Sequence, residues 1–459
     1  MSVLLGFLTV WGTFLLAREL FPERPGVALT GAALLALLPS FLFISAVVNN
    51  DNLIIVLSTF TLLCWTRILK GAGGWRQGVY LGGLLGMAAL AKMPGLILWG
   101  VSGVGFALLA LPRTGRGAWV RMGTTCFGVA VLLYAPWLVF NAVAYSDPLA
   151  WSRFLRVTPR TEAFSWAEGQ RYAVGMLSSL GGRYGGASQI SLPDIAYVGL
   201  AAVCLVGILG LGGLARTWRR GRLEGWLRHS LLLCALFVVV LLLAHIRLMT
   251  FILGMVQARH VFAGLPVVVI LLAFGLHWLG AKRRWLAAVV VALTSLVSLT
   301  ALWSVKDAYR QDALPPSLSP PVGHVAVSAA FGDGMHLDDT WVEPGPLAAG
   351  GTLSVVARWR AIAAPGGEYW LQVQLTGPDG RSDVVAVRDG VPAGGRVTSD
   401  RWRQGDVFES RHTLSLPASL PPGGYEVSVG LHSNGTWDWL PSAGRNQVLV
   451  GSVEIGGAP

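Results

Sequence analysis

The feature that most limits what this chain can fold into is a series of apolar runs, each about as long as a bilayer is thick. Ten stand near 1–17, 27–48, 53–69, 77–91, 94–111, 122–143, 194–214, 229–246, 261–279 and 285–304. A helix needs roughly 20 apolar residues to cross the hydrocarbon core, and helices are one of two structures that satisfy every backbone group there. The sequence is 53% hydrophobic and 13% charged, about half the charge of an ordinary soluble domain. These runs predict an α-helical polytopic membrane protein of about ten spans over residues 1–304. The run near 77–91, short and Gly-rich, is the least regular of them.

The formal net charge of +11 would suit nucleic acid, but the cations do not form one basic face. They stand between the apolar runs: Arg18 and Arg24; Arg67, Lys70 and Arg76; Arg113, Arg116 and Arg121; Arg216 to Arg228; Lys282, Arg283 and Arg284. That is every second loop, so these loops are expected in the cytoplasm and no nucleic-acid partner is expected. The turns at 49–52 and 91–94, the long loop 144–193, the segment 247–260 and everything after 305 then face outside. The N-terminus falls outside too, without a cleavable signal peptide. A chain opening outside on a bare span is expected to lack a first helix and first external loop that a complete relative would carry.

Cys64, Cys126, Cys204 and Cys234 lie in or beside apolar runs without metal-ligand spacing and read as packing residues. The loop 144–193 is too long for a connector. It is expected to form one or two helices along the membrane surface, anchored by Trp151, Phe154, Phe164 and Trp166, with a passive lid as the alternative. A Pro-rich linker, 305–322, carries Pro315, Pro316, Pro320 and Pro321. Beyond it, over 323–459, period-two patterns such as Leu353, Val355, Ala357 and Trp359, or Tyr425, Val427, Val429 and Leu431, predict an extracytoplasmic all-β sandwich. Its Trp402, Trp437 and Trp439 are candidates for carbohydrate binding, though core or edge packing suits most of them better.

The polar residues gather at the outer ends of the spans. Asn49, Asn50, Asp51 and Asn52 mark the point where one apolar run ends and the next begins; they suit a wet turn, yet an acid at a span end is costly and calls for a reason. With Asp51 on that face come Lys92, Asp147, Arg183, His245, Arg247, Arg259 and His260. One or two acids among several cations suit an anionic headgroup, and a lipid phosphate is the natural ligand. The alternative for Lys92 and Arg259 is snorkelling to headgroups.

Four stretches carry a resemblance: Leu-Pro-x-Phe-Leu-x-Ile-Ser-Ala-x-x-Asn-Asn-Asp-Asn ending at Asn52, Ala-Lys-Met-Pro-Gly-Leu around Lys92, Asp147-Pro148-Leu149, and Gln-Ala-Arg-His-Val-Phe-Ala-Gly-Leu-Pro around Arg259. Together they resemble glycosyltransferase family 39, multi-spanning GT-C enzymes related to protein mannosyltransferases and aminoarabinose transferases. The last stretch is similar to the group's Gln-Gly-Arg-Tyr form, with Ala258 for Gly and His260 for Tyr. The β-region, including the stretches around Trp402 and Tyr425, resembles the C-terminal sandwich of some members.

The resemblance implies transfer of a sugar from a polyprenyl-phosphate donor to an extracytoplasmic protein, lipid or glycan acceptor, with inversion at the anomeric carbon. In that family a carboxylate of the first external loop is the general base and a second acid lies on the next external loop. Asp51 matches the second position, to place acceptor or sugar, or to serve as base if nothing else does. Lys92 and Arg259 are the residues for the phosphate, with His260 around it and Asn50 and Arg183 as further substrate contacts. No cofactor is called for; a divalent metal is compatible with the sequence but nothing indicates one. Two other readings stay open, a non-catalytic lipid-sugar or glycan-binding membrane protein and a transporter of lipid-linked sugars.

Overall fold

The computed structural model describes residues 1–110, 116–155, 164–184, 190–251, 257–280, 285–308, 325–332, 334–343, 347–377, 384–392, 397–417, 420–433 and 438–456. Outside them lie Arg113, Met255, Val256, Lys282, Arg283, Arg284, Trp437 and all of the Pro-rich linker beyond residue 308. The chain divides into two compact units, one of Met1–Tyr184 with Ser191–Trp303, the other chiefly Ser304–Pro459.

The first unit is helical, and every expected apolar run but one corresponds to a single helical stretch. Seven helices among the described residues are long and apolar enough to cross a membrane. They include α1 (Ser2–Leu20), α4 (Asp51–Leu69), α7 (Arg116–Tyr145) and α12 (Gly225–Met249). Another joins α10 (Asp194–Gly210) to α11 (Gly212–Arg219), and another enters α13 (Leu265–Leu279) through a 3-10 turn, Ala258–Gly264. The last is α14 (Trp285–Ala308), so residues 305–308 continue a helix instead of opening the linker.

The run 27–48 is not one straight span. It forms α2 (Pro25–Ala36) and α3 (Pro39–Ala46), bent by 62°. Pro39 brings no N–H to the helix ladder and holds Leu38 extended, at φ −74° and ψ 117°. Counted as one broken span, the pair makes eight.

Helices α5 (Trp75–Ala91) and α6 (Pro94–Ala110) have 17 residues each, about 25 Å of helix, the lower limit for a crossing. The glycines that made α5 irregular as a sequence are its packing surface. Gly78, Gly82 and Gly86 share one face at four-residue spacing and lie against α7, where a Cβ on them would meet the Met122 carbonyl oxygen at 2.7 Å, that of Cys126 at 2.3 Å and Leu133 Cβ at 2.8 Å. Without a hydrophobic force between helices in lipid, such close backbone approach supplies the association.

Helix α4 is the most enclosed candidate span, 78% buried. Hydroxyls tie it to its neighbours: Ser58 donates to the Ala263 carbonyl at 2.8 Å, and the Trp65 indole donates to Ser102 on α6 at 2.9 Å. At its C-terminal end Glu19 of α1 accepts from Arg67 at 3.0 Å and Lys70 at 2.8 Å, and the Lys70 ammonium lies 4.4 Å from the Trp226 ring at the start of α12. Three of the loops expected on one side, those after α1, after α4 and before α12, thus meet at one end of the bundle. Asp51 begins α4 at the other end, about 28 Å away along 19 residues.

The long loop carries α8 (Trp151–Leu155) and α9 (Trp166–Gly182), followed by two-residue strands β1 (Arg183–Tyr184) and β2 (Ile190–Ser191). A reciprocal capping box between Ser165 and Glu168 starts α9.

The second unit is antiparallel. One sheet has the order β3 (Val325–Phe331), β4 (Met335–Val342), β5 (Thr352–Ala361), β8 (Val407–Ser415). In the other, β9 (Gly423–Ser433) lies between β6 (Tyr369–Thr376) on one edge and both β10 (Trp439–Leu440) and β11 (Val448–Ile455) on the other, with β7 (Val384–Gly390) outside β6. Alternate residues of both sheets, among them Val355, Ala357 and Trp359, and Val427, Val429 and Leu431, fill a single core. Trp402 belongs to that core: it is 1% exposed, stacks on Phe408 at 4.4 Å and donates its indole N–H to Val397. It is therefore packing and not a sugar platform. Trp439 is half-buried, edge-on to His432 at 5.7 Å.

Candidate functional site

The N-terminal turn of α4 is assembled by its asparagines. Asn49 Oδ1 accepts from the Asn52 backbone N–H at 3.2 Å, three residues on, and so satisfies one of the free N–H groups in the first turn of α4. Asn52 reaches back to the end of α3, donating to the Ile44 and Val47 carbonyls at 2.9 and 3.0 Å. Asn50 reaches forward, donating to the Ala91 carbonyl at 3.2 Å. The turn is thus pinned to the α5–α6 connection, where Lys92 is extended and Pro94 opens the next helix.

Asp51 is 3% exposed, and its carboxylate is paired with the ammonium of Lys92. The pairing supplies the reason an acid is tolerated at a span end: a buried carboxylate needs a partner, and the start of a helix favours negative charge. Lys92, expected on a phosphate, is in this state committed to Asp51.

Arg259 and His260 stand on the 3-10 turn that leads into α13. The His260 ring stacks on His245 of α12, centroids 5.6 Å apart and 25° between planes, and the Lys92 and Arg259 charges act on it. The structure therefore brings together Asn50, Asp51, Lys92, Arg259 and His260. Arg259 Nε is buried and has no acceptor among the described residues; the Asn49 side-chain N–H₂ is in the same condition. Buried donors without acceptors are costly, most of all on a guanidinium.

The end of α9 docks on this cluster. Ser40 of α3 donates to the Leu180 carbonyl at 2.5 Å, and Ser179 accepts from the Ala258 backbone N–H at 2.8 Å, directly beside Arg259. Phe43 meets Tyr184 at 5.1 Å between ring centroids. Sequence reasoning assigned neither Ser40 nor Ser179 any part, since nothing in isolated serines signals a partner 140 or 79 residues away.

Three expected candidates differ from the cluster. Arg183 is exposed just beyond the end of α9, not buried with Arg259. Asp147 is spent on its own loop, accepting from the Ser152 N–H at 2.7 Å and the Leu149 N–H at 3.2 Å at the start of α8. The Ser152 backbone hydrogen bond, with others behind it, holds its carboxyl below the usual carboxylate range. Arg247 is engaged locally, bonding Thr250 at 2.9 Å and lying 3.9 Å over Phe251.

Among the described residues no group of three or more His, Cys, Asp or Glu could hold a metal ion. The formal balance is one carboxylate, two cations and an imidazole pair, an excess of positive charge that suits an anion. No curated protein matches the chain. Residues 1–143 match the family model described as dolichyl-phosphate-mannose-protein mannosyltransferase. The matched segment takes in Asn50, Asp51 and Lys92 and stops before Arg259 and His260; over those residues the chain is similar to the mannosyltransferase group that its sequence motifs resemble.

Proposed function

We propose that this site takes a sugar from a polyprenyl-phosphate donor and gives it to a hydroxyl acceptor on the extracytoplasmic face, the face opposite the basic loops. The observation that carries the reading is Arg259, whose buried Nε has no acceptor among the described residues and which stands beside His260, a ring on which Lys92 also acts. A phosphate oxygen supplies what that donor lacks, and a second cation strengthens the grip as charge develops on the leaving phosphate.

In such a transfer the acceptor hydroxyl loses its proton to a carboxylate, its oxygen bonds to the anomeric carbon, and the bond from that carbon to the phosphate oxygen breaks, leaving its electron pair on the phosphate. Lys92 is suited to couple the two ends. A donor phosphate competes for its ammonium, and Asp51 is then free to hold the acceptor or take its proton. Asn50 fixes the turn that carries Asp51. The pairing of Asp51 with Lys92 also favours one second reading, a protein that holds the lipid-linked sugar without transferring it, because in this state the carboxylate is not free.

The test is binding of polyprenyl phosphate and of polyprenyl-phosphate mannose to the purified full chain in detergent. Arg259→Met is expected to weaken both at least tenfold, the loss of a charge-assisted contact of 1.5–3 kcal/mol or so. Equal binding by wild type and variant would remove Arg259 from the phosphate site.

A further inference from the structure

We propose that the other end of the helical unit holds the phosphate headgroup of an anionic glycerophospholipid, in a groove between α4 and α5. The inference rests on this unit lying in a bilayer and not on the transfer reaction, so the two stand or fall separately. The groove encloses about 270 Å³, and its lining includes Phe60, Leu63 and Arg67 from α4 and Arg76, Gln77 and Tyr80 from α5.

Its order along the membrane normal is that of a phospholipid. Arg67 is near the C-terminus of α4 and Arg76 near the N-terminus of α5, so both guanidinium groups belong to the mouth. Leu63 and Phe60 follow one and two turns deeper, Phe60 about 10 Å below Arg67 along the helix. Tyr80 descends from the α5 side in the same way. Cations at the mouth with an apolar and aromatic wall beneath fit a headgroup phosphate with an acyl chain, whereas a free anion would use only the mouth.

The charges leave room for such a ligand. Three cations, Arg67, Lys70 and Arg76, face one carboxylate, Glu19, which Arg67 and Lys70 share at 3.0 and 2.8 Å. Glu224, at the start of α12, accepts from the Trp226 indole. Arg76 has no carboxylate partner among the described residues and lies 5.7 Å from the Trp75 ring. A phosphate diester placed between Arg67 and Arg76 would complete this set, with Gln77 able to donate from its amide.

The experiment is native mass spectrometry of the full chain released from nanodiscs of equal phosphatidylcholine and phosphatidylglycerol. Wild type is expected to retain phosphatidylglycerol preferentially. Arg76→Gln, a change at an exposed residue, should lower that retention roughly fivefold, the effect of one cation at a headgroup layer. Excess soluble glycerophosphoglycerol, the headgroup without chains, should displace none of it. Polyprenyl phosphate binding at the Asp51 end is measured alongside as the control for folding and should be unchanged. Equal retention of both lipids, equal retention by wild type and Arg76→Gln, or displacement by the soluble headgroup would each overturn the proposal.

Discussion

Replacing Lys92 by Met should destabilise the protein more than replacing Asp51 by Asn, and more than replacing both. The Asp51 side chain is 5% exposed and that of Lys92 23%, so removing the ammonium strands a carboxylate that is almost wholly out of water. Breaking a buried pair from one side costs about 3–5 kcal/mol; the partial exposure of Lys92 and the N-terminus of α4 beside Asp51 both soften this, which puts Lys92→Met near 3 kcal/mol. Asp51→Asn keeps the shape and leaves an ammonium that still touches solvent, at about 1–2 kcal/mol. The double variant has neither charge and should lie near 1 kcal/mol, giving a coupling of roughly 3–4 kcal/mol for the pair. Denaturant or thermal unfolding of the four proteins in one detergent reads the cycle. Singles that simply add would refute the argument, since the two groups would then not be paired in the folded state.

Other expectations follow from packing and burial. Gly82→Ala sets a methyl 2.3 Å from the Cys126 carbonyl oxygen and 2.9 Å from Val129, and should cost about 1–3 kcal/mol by forcing α5 from α7. Gly83→Ala, where nothing lies within 4 Å, should be neutral or stabilising by up to about 1 kcal/mol; unfolding measurements on both variants decide, and equal effects would contradict the packing account. In the β-unit, burial and then the charge of Arg388 push His412 down to about 4. Its unfolded value is near 6.5, so the unfolded chain binds the extra proton between those limits; stability is whole above about pH 6.5 and falls as pH drops towards 4, by roughly 3 kcal/mol in all. Hydrogen exchange of the β8 amides in the full chain at pH 7 and pH 4.5 measures it, and His412→Gln should flatten the dependence. Trp402→Ala should loosen the same unit by about 3–5 kcal/mol, read by the same exchange, because its ring is core.

Much of this was legible in the sequence because lipid imposes a strong pattern. The spans announced themselves as apolar runs, and the alternation of basic loops put Arg67, Lys70 and Arg76 on one side and Asp51 and Lys92 on the other. The bend at Leu38 had a visible cause in Pro39, but run length outweighed it. The glycines of α5 read as weakness because their worth lies in α7, a partner that periodicity cannot name. At the site, residue types and their side of the membrane were legible; pairings were not. Nothing in the spacing joins Asp51 to Lys92, His245 to His260 or Ser179 to Ala258, since each bond depends on how separate helices pack. Asp147 shows the converse: its carboxylate looked available for chemistry, yet a local bond to Ser152 uses it.

The central claim is that Asp51 and Arg259 serve one transfer reaction from a lipid phosphate. The most direct measurement is release of polyprenyl phosphate from the lipid-linked sugar donor by the purified full chain in reconstituted membranes supplied with acceptor extract, for wild type, Asp51→Asn and Arg259→Met. Wild type should release polyprenyl phosphate; Asp51→Asn should lose about a hundredfold or more of that release while binding the donor at least as tightly, since Lys92 is then free for the phosphate; and Arg259→Met should bind the donor more weakly. Release that neither substitution alters would contradict it.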